Sequence, residues 1–284
     1  MTRLQPDDIR HISSRLADYS RDLEKKTGRS LLGIACHAWG MAEDQFKERR
    51  HLKRICVVPV TAGLGMISRF SDTVAAILTF LGCRAAVADQ ADVAGLAEAV
   101  ESGFDAVMMA DDDRFVAIDL FTRQVTDNAD ATGRGFAAAL DLMAGRIRDQ
   151  KVLVMGCGPV GGAGAGLLAC LGARVALLDR DRSAVERVKD AVSQQCPTSV
   201  ITIEENLESA LSPYRFILEA TPAPDTITRD RVSPDMRVAA PGVPLGVSPG
   251  AAAVLGPHLV HDTLEIGVAA MAVSLVSEPA RIKK

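Results

Sequence analysis

The chain has 284 residues, 48 % hydrophobic but only 4 % aromatic, with 32 Lys+Arg against 36 Asp+Glu and a formal net charge of −4. That length suits one large or two modest domains and can bury a sizeable core without disulfides or metals. The low hydropathy and high net charge of a disordered chain are missing, and without a basic run a non-specific nucleic-acid binder is excluded.

From the N-terminus, Pro6-Asp7-Asp8 is a helix start, with proline and acids in the first turn. Residues 1–10 are too charged for a signal peptide. Ile9, Ile12, Leu16 and Leu23 recur at near-helical spacing and predict one amphipathic helix over 9–25, stopped by Gly28. A second helix is expected over 31–39, and the charged run 43–50 reads as a solvated surface. The β-branched run 55–60 is a strand ending in Thr61-Ala62-Gly63-Leu64-Gly65, with a helix after it over 70–81. Strand 84–88, helix 92–102 and strand 105–110 follow, closed by Asp111-Asp112-Asp113. A polar loop runs through Asp127-Asn128, and a long helix over 133–148 is the expected hinge. Beyond it lie strand 151–155, helix 162–171, strand 174–178, helix 183–192 and a strand near 199–203. Strands 216–219 and 237–240 come next, then an apolar helix over 265–276 packed back on the body.

Strand–helix alternation at this period means parallel βαβ units. The expected fold class is α/β: N-terminal helices with a small α/β substrate domain over 1–131, then a Rossmann-type doubly wound parallel sheet over 132–284. The six cysteines (Cys36, Cys56, Cys83, Cys157, Cys170, Cys196) show no C-x-x-C and no metal-ligand spacing. They read as reduced small hydrophobes in a cytoplasmic protein without a metal. Residues 152–173 run for 22 positions without a charge, as long as a membrane span, but hold seven glycines and Pro159. A nucleotide-binding turn explains them better, and no membrane contact is expected.

That turn is Gly156-Cys157-Gly158-Pro159-Val160-Gly161, directly after an apolar strand. The first glycine permits a tight turn, the second lets backbone approach a pyrophosphate, and the third lets helix and strand pack closely. The helix N-terminus then holds the anion. The next strand ends at Asp179, 23 residues past Gly156, where an acid bonds the adenine ribose hydroxyls and repels a 2′-phosphate. NAD is therefore favoured over NADP, although Arg180 and Arg182 follow. Glu219-Ala220-Thr221-Pro222 and Pro241-Gly242-Val243-Pro244 fall at later strand ends, where open α/β sheets bind ligands. They read equally as a wall under the nicotinamide half or as ordinary turns.

In the first half, Thr61–Gly65 could cradle a carboxylate on backbone amides. Asp111 could anchor an ammonium group or take a proton from it, but spacing alone favours a solvated turn or helix cap for three successive aspartates. His258 and His261 lack Glu or Cys partners and read as surface or satisfied core histidines.

Several segments resemble the pyrrolysine synthase family, NAD-dependent 3-methylornithyl-lysine dehydrogenases. They are LQPDDI (4–9), PVTAGLGMISRFS (59–71), DVAGLAEAV (92–100), MADDDRF (109–115), VLVMGCGPVGGAGA (152–165), LEATPAPDTI (218–227), PGVPLGVS (241–248) and LEIGVAAM (264–271). The dinucleotide turn is generic, whereas the segments at 59–71 and 109–115 are specific. The resemblance implies a small-molecule substrate, 3-methyl-D-ornithine joined through its carboxyl to the side-chain amine of L-lysine. It implies oxidation of the carbon bearing the terminal amine, with hydride passing to NAD. Imine hydrolysis, ammonia release and closure of the pyrroline ring then complete the reaction. By the same match, Asp111 holds or deprotonates a substrate amine, Asn128 and Leu4 contact substrate, and Thr61, Ala62 and Gly63 frame the pocket floor.

The chain departs from the family pattern at Ala62, where a serine is expected, and at Asp262-Thr263-Leu264-Glu265, where a Glu-Pro-Leu-Gly-like turn is expected. A homodimer is compatible with the sequence, which fixes no oligomeric state. Another two-domain NAD-dependent dehydrogenase, acting on an amino acid or a shikimate-like acid, is the alternative. Such enzymes usually place a lysine in the cleft, and no lysine lies between Lys53 and Lys151. A non-catalytic NAD-sensing module would need a basic or repeat surface, and none is visible.

Overall fold

A computed structural model describes residues 4–277, organised on two sheets. The chain opens with α1 (Pro6–Ile9), α2 (Ile12–Thr27), α3 (Leu31–Ala38) and α4 (Glu43–Arg49). The single helix expected over 9–25 is two elements. Asp8 closes the first turn by accepting the Gln5 N–H at 2.7 Å, and the chain re-enters helix only after Arg10-His11. Gly28, at φ 73°, ends α2 in the left-handed conformation that glycine adopts without strain. The charged run expected to be a plain solvated surface is α4, because it carries Phe46, whose fully buried ring docks the helix while its acids and bases face out.

The first sheet holds β1 (Arg54–Val58), α5 (Phe70–Phe80), β2 (Arg84–Val87), α6 (Asp92–Glu101) and β3 (Ala106–Ala110), with the three strands parallel. It continues into an antiparallel hairpin, β4 (Phe115–Asp119) and β5 (Val125–Asp127), giving the order β2-β1-β3-β4-β5. This hairpin lies where the sequence reads as a polar loop. Phe115 and Ala117 alternate inward on β4, and Asp119 caps its turn by accepting the N–H groups of Phe121 and Thr122.

The connecting helix, α7 (Asn128–Met143), starts and stops earlier than the expected 133–148. Asp127 sets its start by accepting the Ala129 N–H at 2.9 Å, an N-cap that moves the boundary back to Asn128. The second sheet follows: β6 (Lys151–Met155), α8 (Pro159–Cys170), β7 (Arg174–Leu178), α9 (Arg182–Gln195), β8 (Val200–Ile203), α10 (Leu207–Ala210), β9 (Phe216–Glu219), β10 (Arg237–Ala240), α11 (Pro249–Leu255), β11 (Leu259–His261) and α12 (Glu265–Val276). Its strands are all parallel in the order β11-β10-β9-β6-β7-β8, the doubly wound Rossmann arrangement with its switch point between β6 and β9.

Helix α12 is buried along its whole length and packs against α3, α5 and α7, so the hydrophobic core runs unbroken between the sheets. The Trp39 indole N–H donates to the Ala270 carbonyl at 2.8 Å and fixes α3 to it. The expectation of six reduced cysteines is corrected. Cys170, the last residue of α8, and Cys196, the cap of α9, form a disulfide with Cα atoms 5.7 Å apart. The two helices end side by side beside β7, a proximity that a sequence separation of 26 does not announce. Cys36, Cys56, Cys83 and Cys157 are buried free thiols. No described helix is long and apolar enough to cross a membrane.

Candidate active site

The carboxyl ends of β1 and β3 in the first sheet, and of β6, β9 and β10 in the second, open on one shared cavity of about 790 Å³. Parallel strands direct their following loops to this end, which is why ligand sites form there. Leu4, ahead of α1, also lines the cavity.

On the second-sheet side the three glycines of the β6–α8 turn behave differently. Gly156 takes φ 87°, which reverses the chain after β6. A Cβ on Gly161 would sit 1.8 Å from the Gly156 carbonyl oxygen, so the helix packs hard on the turn. A Cβ on Gly158 would meet nothing within 4 Å, because this glycine faces the open cavity with Pro159 and Val160. That cradle fits a pyrophosphate set against backbone and a helix N-terminus. Cys157 takes part through its backbone. Its N–H donates to Asp179 Oδ2 at 2.6 Å, while burial and the neighbouring Asp179 push its thiol up to about 12. Asp179 also accepts the Asp181 N–H, which fixes its carboxylate beside the turn. Arg180 is exposed, and Arg182 is tied to Glu186 and Glu205, each at 3.1 Å. Gly156, Cys157, Gly161, Asp179 and Arg180 stand behind or beyond the cavity wall, whereas Ala220, Thr221, Pro222, Pro241 and Gly242 line it.

Beneath that wall lies a residue that belongs to the expected strand-end turn but was given no role in the sequence. Glu219 ends β9 with no exposed surface, and its Oε1 accepts the Thr221 N–H at 3.1 Å and the Thr221 and Thr226 hydroxyls. Its Oε2 has no hydrogen-bond partner among the described residues, and burial raises the carboxyl above the usual range. Its signal was a carboxylate at the last position of an interior strand followed by two threonines.

On the first-sheet side, Asp111 lines the cavity at the β3–β4 turn. Its Oδ1 accepts the N–H groups of Arg114 at 2.7 Å and Asp113 at 2.9 Å, and these bonds lower its carboxyl below the usual range. The carboxylate therefore stays ionised, suited to holding a cation and poorly suited to taking a proton near neutrality. Asp112 Oδ2 accepts the Leu64 N–H at 2.7 Å and fills the space a Cβ on Gly63 would need, 2.0 Å away. This clip changes the expected pocket floor. The Leu64 amide, expected to help cradle a carboxylate, is already used. Thr61 gives its N–H and hydroxyl to Asp92, and neither Thr61 nor Gly63 lines the cavity. Ala62 does line it.

Asn128, at the start of α7, is buried and lines the cavity. Its side-chain amide donates to the Met271 sulfur at 3.3 Å and its oxygen accepts from the Thr132 hydroxyl. Phe70 and Phe115 meet edge to face on the same wall, with ring centroids 5.3 Å apart. Thr263 and Leu264 close the cavity from the corner between β11 and α12, beside the buried carboxyls of Asp262 and Glu265. Among the described residues no group of three His, Cys, Asp or Glu could hold a metal ion. His258 and His261 bond backbone carbonyls, those of Pro234 and Ala240, each at 2.7 Å.

The family model described as "Pyrrolysine biosynthesis protein PylD, N-terminal domain" matches residues 8–126, and "Alanine dehydrogenase/PNT, C-terminal domain" matches residues 125–233. The chain is 30 % identical to a pyrrolysine synthase of Methanosarcina acetivorans over 278 residues, 97 % of this chain and 100 % of that protein. It is 30 % identical to one of Methanosarcina barkeri over 97 % of this chain and 98 % of that one. Among solved structures it is similar to quinate dehydrogenase from Corynebacterium glutamicum in complex with NAD. That match has a TM-score of 0.56 at 18 % identity and covers 79 % of this chain and 92 % of that one. The 5-ketofructose reductase of a Gluconobacter strain matches with a TM-score of 0.51 at 17 % identity, covering 78 % and 92 %. At such identities these structures share the fold.

Proposed function

The chain belongs to the pyrrolysine synthase family, and from that premise we propose that it is an NAD-dependent dehydrogenase completing pyrrolysine. In this reading it oxidises the carbon bearing the terminal amine of 3-methyl-D-ornithyl-L-lysine. Water then releases ammonia and leaves a semialdehyde, and the ornithine α-amine condenses with that aldehyde, losing water to close the pyrroline ring. The observation that carries the reading is the single cavity in which the Gly158–Val160 turn and the Asp111 turn face one another.

NAD, when bound, supplies the hydride acceptor. The chain's own residues do the rest. Gly158 and the start of α8 hold the pyrophosphate. Asp179 holds the adenine ribose and disfavours a 2′-phosphate, and Arg182 is occupied by Glu186 and Glu205. Ala220, Thr221, Pro222, Pro241 and Gly242 form the wall beneath the nicotinamide half, held rigid by the bonds that Glu219 accepts from Thr221. Asp111 anchors a substrate ammonium against its ionised carboxylate. Asn128 and Leu4 bound the substrate with Phe70 and Phe115. With Asp111 held ionised, water in the cavity takes the ammonium proton before hydride departs.

The test is incubation of the protein and saturating NAD with 3-methyl-D-ornithyl-L-lysine and with its unmethylated analogue. NADH should form and the product mass should be that of pyrrolysine or its desmethyl form. No NADH with either substrate refutes the proposal.

A further inference from the structure

Charge is distributed around the cavity in a way that the anchor at Asp111 does not account for. The ionisable side chains lining it are Asp72, Asp111, Asp112 and Arg69, so Arg69 is the one cation on the wall among the described residues. Arg114, the nearest guanidinium in sequence to the acidic turn, is paired with Asp127 at 3.0 Å. No hydrogen bond or ion pair joins the Arg69 guanidinium to a described residue.

Its backbone is unusual as well. Arg69 immediately precedes α5 with φ 67°, in the left-handed region where a residue bearing a Cβ is uncommon and glycine or asparagine is favoured. No side-chain cap bond at that position explains an arginine there. A costly conformation held by a long, unpaired cation at a cavity wall is the pattern of a ligand contact.

We propose that Arg69 binds the α-carboxylate at the lysine end of the substrate and so selects for a free acid there; this rests on the proposed function above. The substrate carries about +2 at neutral pH, from three ammonium groups and one carboxylate. Asp111 has an ammonium partner available in the substrate, and among the described wall residues the substrate's carboxylate has Arg69 as its one cationic partner. A guanidinium is the side chain suited to it, since its fork matches both carboxylate oxygens. Arg69 belongs to the first-sheet wall, whereas the glycine turn belongs to the second. Binding the carboxylate at Arg69 therefore leaves the ornithine end, with the carbon to be oxidised, toward the dinucleotide side.

The experiment compares the ornithyl-lysine acid with the same compound bearing a primary carboxamide in place of that carboxylate, in the full chain with NAD. The wild-type protein should prefer the acid in kcat/KM by roughly 10- to 100-fold, the range of hydrogen bonds to a charged group, and chiefly through KM. Arg69→Asn, which suits the left-handed backbone, should bring that preference close to unity. Arg69→Lys should restore part of it. A preference unchanged in Arg69→Asn, or no preference in the wild-type protein, overturns the assignment while leaving the proposed function standing. Failure of the wild-type protein to turn over either compound removes the proposed function and this assignment together.

Discussion

The Tyr19 hydroxyl donates to Asp262 Oδ2 at 2.5 Å, a bond that joins α2 to the corner between β11 and α12 across a separation of 243 residues. Asp262 also receives the Ile266 N–H of α12, so one carboxyl holds the N-terminal helices and the C-terminal helix at the cavity rim. Glu265 lies beside it with its Oε2 accepting the Leu264 N–H. Burial pushes Asp262 up to about 6, and burial with the neighbouring Asp262 pushes Glu265 up to about 8.

Both carboxyls bind protons more tightly folded than unfolded. Their contribution to stability is complete below about pH 4 and is lost as pH rises through about 6 and then about 8. This loss should lower the melting temperature between about pH 4 and pH 8, above which both carboxyls are ionised folded and unfolded alike, and Glu265→Gln should reduce that slope. His261 acts in the opposite sense, because burial lowers its pKa and its contribution is gained as pH rises through the unfolded value of about 6.5, so the difference between Glu265→Gln and the wild-type protein carries the test. An identical slope in Glu265→Gln, followed by calorimetry, would show that the pair is not held protonated.

Glu219 adds to the same alkaline loss, since its carboxyl is also raised by burial. Glu219→Gln should cost under about 1 kcal/mol at pH 6 and flatten the slope further. Glu219→Ala should cost roughly 1–3 kcal/mol, because it strands the Thr221 N–H and hydroxyl, whereas the Thr226 hydroxyl keeps the Gly246 carbonyl as acceptor. Denaturant unfolding of both variants measures the difference. Equal losses would contradict a role for Glu219 as the acceptor of the Thr221 donors.

The three glycines of the β6–α8 turn should separate the proposed NAD binding from folding. Gly161→Ala forces a Cβ to 1.8 Å from the Gly156 oxygen and should lower the melting temperature sharply. Gly158→Ala finds open space and should leave it nearly unchanged, yet weaken NAD binding by about 10-fold or more, since the pyrophosphate needs that approach. Fluorescence titration with NAD and thermal melts on both variants test this. Undiminished NAD affinity in Gly158→Ala would move the pyrophosphate elsewhere.

Asp111→Asn should preserve the β3–β4 turn, because an amide oxygen can still accept from Asp113 and Arg114. It should lower kcat/KM by roughly 10- to 100-fold through the lost charge, with NAD affinity unaltered. Any acidic limb of the pH–rate profile between pH 5 and 8 should persist in the variant, since the Asp111 carboxyl is lowered and does not titrate there. Loss of that limb in Asp111→Asn would make Asp111 a base instead of an anchor.

What could be read from the residues was local. The Gly156–Gly161 turn with Asp179 followed from spacing, and the apolar composition of the tail placed α12 at its observed Glu265–Val276 bounds. The missed features depend on partners distant in sequence. Thr61 reads as a pocket residue until Asp92 takes its N–H and hydroxyl, and Gly63 until Asp112 fills the space beside it. The β4–β5 hairpin hid because its strands are short and flanked by charge, so neither periodicity nor composition separated it from a loop. Tyr19 carried no motif, and Glu219, though inside the segment 218–227, was given no role of its own; their significance lies in burial that only the assembled sheets create.

Helix α12 has one more consequence, for the order in which the protein can be made. Its residues fill the space between α3, α5 and α7, elements encoded far upstream. A chain emerging from the ribosome can therefore pair the strands of its first sheet, but it keeps an open apolar groove beside them until residues 265–276 arrive. Such long-range closure slows folding and exposes the groove during synthesis. The first-sheet half of the cavity thus becomes complete last, although its residues are translated first.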